Sequence, residues 1–148
     1  MNMKNILNYI FESIEKKYVN IIVVSPENEI LILRRANYMK KFKGLWGFPG
    51  GSIDAKDKDS KSAVIRELKE ETGIELSWNE EYKYLKKFET IKNNDGSISE
   101  YFIVKLETKP TIKISREHSK YDWFDIKNKT NYKWMPDIFQ IIQKYYDN

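Results

Sequence analysis

Between Asp59 and Gly73 the chain writes one helix with two adjacent and unlike edges, and no other stretch constrains the fold as tightly. Asp59 or Ser60 offers an oxygen to cap the first turn, and Gly73 supplies the left-handed stop after a helix spanning about Ser60 to Thr72. At roughly 100° per residue, with Glu67 at zero, Glu70 falls near 300° and Glu71 near 40°, so three carboxylates share an arc of about 100°. Val64, Ile65 and Leu68 fall between about 60° and 160°, which sets the apolar stripe beside the acidic edge instead of opposite it. The carboxylates are therefore expected at the rim of a core.

Like charges within one turn each destabilise an isolated helix by about a few tenths of a kcal/mol, so this edge asks for a counter-charge. The chain has no cysteine and one histidine, so hard oxygen ligands dominate and favour Mg²⁺ or Mn²⁺ over zinc. Mg²⁺ commonly bridges carboxylates to phosphate oxygens, which points to a phosphate ester or anhydride as substrate. The competing reading is a solvated face, neutralised by Lys69 and by an i, i+4 pair between Arg66 and Glu70.

Around this helix the pattern is that of one mixed domain over residues 1–148. An amphipathic helix is expected over about 3–17, with Ile6, Leu7, Ile10, Phe11 and Ile14 on one face. Val19–Val24 and Ile30–Leu33 read as a hairpin about the turn residues 26–29. Tyr82–Thr90 and Ser97–Leu106 read as a second hairpin about Asp95-Gly96, Trp123–Ile126 as a short strand, and Pro136 as the opening of a last helix. This order favours an α/β or α+β layered fold with a mixed sheet. The longest uninterrupted apolar stretch, Ile21–Val24, is far below the ~20 residues that span a bilayer, so no membrane span is expected. Charges at Glu12, Glu15, Lys16 and Lys17 interrupt the first apolar run too early for a secretory signal, and a cytoplasmic protein is expected. The net charge of +4 is slight, but it is unevenly placed. From Ile30 to Ile53 there is no acidic residue, while Arg34, Arg35, Lys40, Lys41 and Lys43 carry five cations into a segment that ends in Gly47-Phe48-Pro49-Gly50-Gly51.

Residues 50–74 closely resemble the signature box of the Nudix hydrolases: Gly, five residues, Glu, seven residues, then Arg-Glu-apolar-x-Glu-Glu-x-Gly-apolar. Residues 66–74 match the second half at every specified position, and Trp46 with Phe48-Pro49-Gly50-Gly51 matches the usual lead-in. The first half departs from the pattern: Gly51 to Arg66 is one residue longer, and counting back from Arg66 puts Lys58 where the family has its first Glu, with Asp57 and Asp59 as neighbouring carboxylates. The resemblance implies an α/β fold, an α/β/α sandwich around a mixed sheet, and hydrolysis of nucleoside diphosphates linked to another moiety with Mg²⁺ or Mn²⁺. Carried over by position, it makes Glu70, Glu71 and the Gly50 carbonyl metal ligands, and Glu67 a ligand or the base that activates water. Arg66 would orient the carboxylates by ion pairing.

The same resemblance gives Arg35, at the end of a predicted strand, a substrate contact. By their charge, Lys40, Lys41 and Lys43 are either grips for distal phosphates or an RNA backbone, or plain solvated lysines that aid solubility. The resemblance also puts Glu117 or His118 near the chemistry, because several Nudix groups carry a similar Glu-His segment before a Tyr-x-Trp strand. Tyr38, Trp46, Phe48, Tyr101, Trp123 and Trp134 are stacking surfaces for a base or, for most of them, simply core. Three functions follow. The first is cleavage of a phosphoanhydride in a nucleoside triphosphate, dinucleoside polyphosphate or nucleotide sugar. The second is pyrophosphate or cap removal from RNA 5′ ends, suggested by the basic loop. The third is a catalytically silent binding module, against which the intact Glu67, Glu70 and Glu71 argue. Oligomeric state stays open, since the N-terminal helix could cover its own sheet or that of a second subunit in a homodimer.

Overall fold

The computed structural model describes residues 2–6, 16–128 and 131–148. Its centre is the strand that the sequence makes most apolar: β1 (Lys17–Val24) is fully buried at Val19 and from Ile21 onward, covered on both faces. β1 turns at Ser25–Glu29 into β2 (Ile30–Arg35), with the Ser25 amide donating to the Glu29 carbonyl at 2.8 Å and Asn28 in the left-handed region. The two strands pair antiparallel at Val24 and Ile30. β3 (Trp46–Gly47) pairs with β2, and β4 (Gly50–Ser52) pairs with the first half of β1. β6 (Ile98–Lys105) runs parallel to β1 along its whole length, and β5 (Lys86–Lys92) is antiparallel to β6. β7 (His118–Phe124) completes the mixed sheet against β2, with a bulge between Arg34 and Arg35.

Helix α1 (Ser60–Thr72) covers one face, packing Ala63, Val64 and Leu68 against Val19, Ile21, Val23, Leu31, Leu33, Phe102 and Val104. Helix α2 (Ile138–Asp147) covers the other, with Ile138, Ile141 and Ile142 over Ile22, Val24, Ile30, Ile32, Tyr101 and Phe124. Each fully buried aliphatic side chain in these layers contributes about 1.5–3 kcal/mol. The result is the mixed sheet between helical layers that the α/β/α expectation describes. Among the described residues, no helix is long and apolar enough to cross a membrane.

Several element boundaries differ from the expectations. Residues 80–84 form a turn of π-helix, so the strand expected from Tyr82 begins only at Lys86. The cause is a reciprocal cap: Ser77 Oγ accepts from the Glu80 amide at 3.1 Å, and Glu80 Oε1 accepts from the Ser77 amide at 2.8 Å. The last helix opens at Ile138 and not at Pro136, because Asp137 has φ 69° and cannot be part of a right-handed turn. The strand expected at Trp123–Ile126 instead occupies His118–Phe124. Residues 3–6 are helical, but Leu7, Ile10, Phe11 and Ile14 of the expected first helix lie outside the described residues, and Lys17 belongs to β1.

Candidate active site

The start of β1, the end of β2, β4 and the start of β7 meet at one end of the sheet, and the last turns of α1 pass over it. The helix is fixed at both ends. Asp59 Oδ1 accepts from the Ser62 amide at 2.8 Å, which settles the cap on Asp59, and the Gly73 amide donates to the Lys69 carbonyl at 3.0 Å with φ 73°.

Glu71 is the deepest of the three carboxylates. The Gly50 amide donates to Glu71 Oε1 at 2.7 Å, and His118 Nδ1 lies 3.4 Å from Oε2. Burial drives the Glu71 carboxyl up to about 8, against the opposing pull of the Gly50 hydrogen bond, while the charges of Glu67 and Glu117 add to the rise. Burial, followed by the charge of Arg35, takes His118 down to about 4, so its imidazole is neutral at pH 7. Its Nδ1 is buried and has no hydrogen-bond partner among the described residues.

Glu67 packs against β4 so closely that a Cβ on Gly51 would stand 2.5 Å from Glu67 Oε1. At Gly50 a Cβ would stand 2.1 Å from the Val19 carbonyl oxygen, so approach of the main chain requires glycine there, whereas at Gly51 the obstacle is the end of the Glu67 side chain. The Glu67 carboxyl is also raised, chiefly by burial, with Arg66 acting the other way. Glu70 points outward and is more than half exposed.

Arg66 knits the site together. Its Nη1 donates to Glu67 Oε1 at 2.9 Å and to Glu70 Oε2 at 3.2 Å, while Nε and Nη2 form a fork on Asp57 at 2.9 and 2.8 Å. Nη2 also reaches the Ser52 carbonyl at 3.1 Å. This fork holds the Asp57 carboxyl at about 2. The lengthened first half of the box thus keeps a carboxylate at work: Asp57 anchors the arginine, Asp59 caps the helix, and Lys58 is exposed.

Of the residues singled out beyond the box, His118 comes into contact with Glu71. Arg35 stands opposite His118 in the β2–β7 register, and its charge is felt at both His118 and Glu71. Its Nε donates to the Lys41 carbonyl at 2.8 Å. Lys43 is exposed on the loop between β2 and β3. Phe48 and Tyr101 are core, Trp46, Trp123 and Trp134 are half-buried, and Tyr38 is exposed. Two cavities of about 340 Å³ each lie on the α2 side; one is lined by Phe124, Tyr132, Trp134 and Phe139, the other by Phe88, Tyr145 and Tyr146, and neither includes a box residue. The sequence reading missed the Ser77–Glu80 cap, which its Ser-x-x-Glu spacing could have signalled.

A profile of the NUDIX domain matches residues 15–145. The chain belongs to this family. It is a Nudix hydrolase, and its fold and box agree with that membership. It is 32% identical over 152 aligned positions to an RNA pyrophosphohydrolase of Campylobacter jejuni, covering 90% of this chain and 88% of that relative. Among solved structures, the NUDIX domain of Shewanella oneidensis NrtR in complex with ADP ribose superposes with a TM-score of 0.75 at 20% identity, over 99% of this chain and 98% of the other. A C. elegans Ap4A hydrolase binary complex gives a TM-score of 0.67 at 20% identity, over 88% and 96%.

In this Nudix domain no three His, Asp or Glu side chains among the described residues already converge as a metal cage. The donor set nevertheless suits a hard divalent ion. The Glu67 and Glu71 carboxyls are both raised first by burial, and neighbouring carboxylates, Glu70 and Glu117 at Glu67 and Glu67 and Glu117 at Glu71, add to the rise. A cation beside them would reverse that shift.

Proposed function

We propose that this Nudix hydrolase removes pyrophosphate from the 5′-triphosphate end of RNA by attack of water on a phosphorus of the anhydride. The observation that carries the reading is the placement of an acid-free, five-cation segment, Arg34 to Lys43, beside the buried Glu71 through Arg35, which stands opposite His118 in the β2–β7 register. The name of the Campylobacter jejuni relative, aligned over nearly the whole chain, supports the same substrate class.

Glu70, Glu71 and the Gly50 carbonyl would hold Mg²⁺ or Mn²⁺, with Glu67 beside them. Bound there, the ion would neutralise anhydride oxygens and lower the pKa of a coordinated water. The protein's own residues do the rest. Glu67 keeps one oxygen on Arg66 and offers the other to take the proton of the attacking water. Arg66 holds Glu67 and Glu70 in register, and its own position is set by Asp57 and Ser52. Arg35 faces the phosphates, and His118 packs on Glu71 as a neutral ring.

The test is a turnover screen with Mg²⁺ and Mn²⁺ against 5′-triphosphorylated RNA, nucleoside triphosphates, dinucleoside polyphosphates and nucleotide sugars. The expected result is preferential release of pyrophosphate from RNA, abolished in Glu70→Gln. Preference for a dinucleoside polyphosphate or a nucleotide sugar would overturn the RNA assignment, and the absence of all turnover would favour a binding module.

A further inference from the structure

The loop of residues 36–45 between β2 and β3 is closed tightly at its base and open at its tip. The Arg35 amide donates to the Leu45 carbonyl at 2.8 Å and the Gly44 amide to the Arg35 carbonyl at 2.9 Å, so the chain leaves and re-enters the sheet at one point. The Ala36 amide donates to the Glu117 carbonyl at 2.8 Å, which docks the loop on the residue next to His118 and hence beside Glu71.

Within this ordered frame, the side chains that a globular protein would ordinarily bury face solvent. Tyr38 is 68% exposed and Phe42 43% exposed, and Lys40, Lys41 and Lys43 alternate with them. Phe42 has φ 56°, a left-handed backbone that a bulky residue adopts only at a cost in strain. Across from the loop, Asp95 in the turn between β5 and β6 is held below the usual carboxylate range first by the Ser97 hydroxyl and amide, and it also feels the charge of Lys41. β6 begins beside the start of β1, and β2 runs antiparallel to β1, so the loop after β2 and the turn before β6 flank the same end of the sheet.

We infer that the 36–45 loop is a platform for single-stranded RNA, on which Tyr38 and Phe42 stack against the bases that follow the 5′ end while Lys40, Lys41 and Lys43 follow the phosphodiester backbone. Exposed aromatic faces interleaved with cations are the chemistry that binds single strands with little sequence preference, because every base has a stacking face. The charge fits a polyanion: no carboxylate lies between Ile30 and Ile53 to oppose one. This inference rests on the RNA reading of the catalytic site, and it adds that recognition extends past the terminal nucleotide.

The experiment compares the wild-type protein with a Tyr38→Ala/Phe42→Gly variant. Glycine suits the left-handed backbone at position 42, so this change relieves strain, and an unchanged melting temperature checks the fold. Two readouts are taken. The first is the KM for a 5′-triphosphorylated ten-nucleotide single strand relative to that for a nucleoside triphosphate. The second is the affinity for the same strand with a 5′-monophosphate, by fluorescence anisotropy across a salt series. The expected result is a roughly tenfold weakening specific to the strand in both readouts, with blunt duplex RNA bound more weakly than the single strand. Equal effects on strand and mononucleotide, no effect, or equal binding of duplex would each overturn the inference. Anisotropy separates the two claims: strand binding that depends on Tyr38 and Phe42 without pyrophosphate release would sink the catalytic reading alone. Pyrophosphate release from RNA that is indifferent to both residues would sink the platform alone.

Discussion

The acidic edge of α1 and the basic loop 36–45 flank the same end of the sheet and are built on opposite terms. Glu71 is buried and Glu67 half-buried, and they are held at close quarters, by Arg66 on one side and the Gly50 amide on the other. The cations of Lys40, Lys41 and Lys43 stand exposed on a loop whose backbone is held where it joins β2, β3 and β7 and by Arg35 at the Lys41 carbonyl, while the ammonium groups reach into solvent. The difference separates two tasks. Proton transfer and metal binding require atoms placed to a fraction of an ångström, whereas attraction of a polyanion requires only charge of the right sign within a Debye length.

The sharpest way to break that contrast is to remove charge where geometry matters. Glu71→Gln keeps the shape and the Gly50 contact, and turnover is expected to fall by on the order of 10²–10⁴, measured as pyrophosphate release. The same variant has a stability signature in metal-free protein. Because the folded Glu71 pKa is raised from 4.5 to about 8, its contribution to stability is full below pH 4.5 and is lost as pH rises through 8. Chelated Glu71→Gln should therefore melt higher than chelated wild type at pH 8, and a lower melting temperature there would contradict the burial argument.

Gly51→Ala comes next. Its methyl group would displace Glu67, and a shift of about 1 Å is enough to cost roughly 10²-fold in kcat while leaving the sheet paired. Crystallography or kcat on the variant checks this. A smaller effect follows from Asp57. Its pKa is depressed from 3.8 to about 2, so the Arg66 fork stabilises the protein above pH 3.8, and that contribution is lost as pH falls through 2. Asp57→Asn should flatten this part of the acid-unfolding curve. The smallest effect is expected at Ser77→Ala, which removes one half of the Ser77–Glu80 cap, at about 1 kcal/mol by denaturant unfolding, with turnover unchanged.

Where structure is written locally, the sequence was legible. The limits of α1 follow from Asp59 and Gly73, within hydrogen-bond reach of the turns they cap, and the spacing of Glu67, Glu70 and Glu71 already placed the three carboxylates on one edge. β3 and β4 escaped notice because they are only two and three residues long and exist through pairing with β2 and β1, far away in sequence. The contact of His118 with Glu71 depends on the β2–β7 register and its bulge beside Arg35, which no local pattern encodes. The choice between Asp57 and Asp59 was likewise open until the arginine's fork showed that both are used, one for the ion pair and one for the helix.

The two adjacent glycines of β4 fail for different reasons, and that divides what selection can see. A side chain at position 50 would collide with the main chain of Val19, so replacements there should vanish from any library sorted for soluble, folded protein. A side chain at position 51 meets the far end of Glu67, so alanine there should survive such a sort and disappear only when survivors are screened for turnover. Neighbouring codons would then report on folding and on chemistry separately.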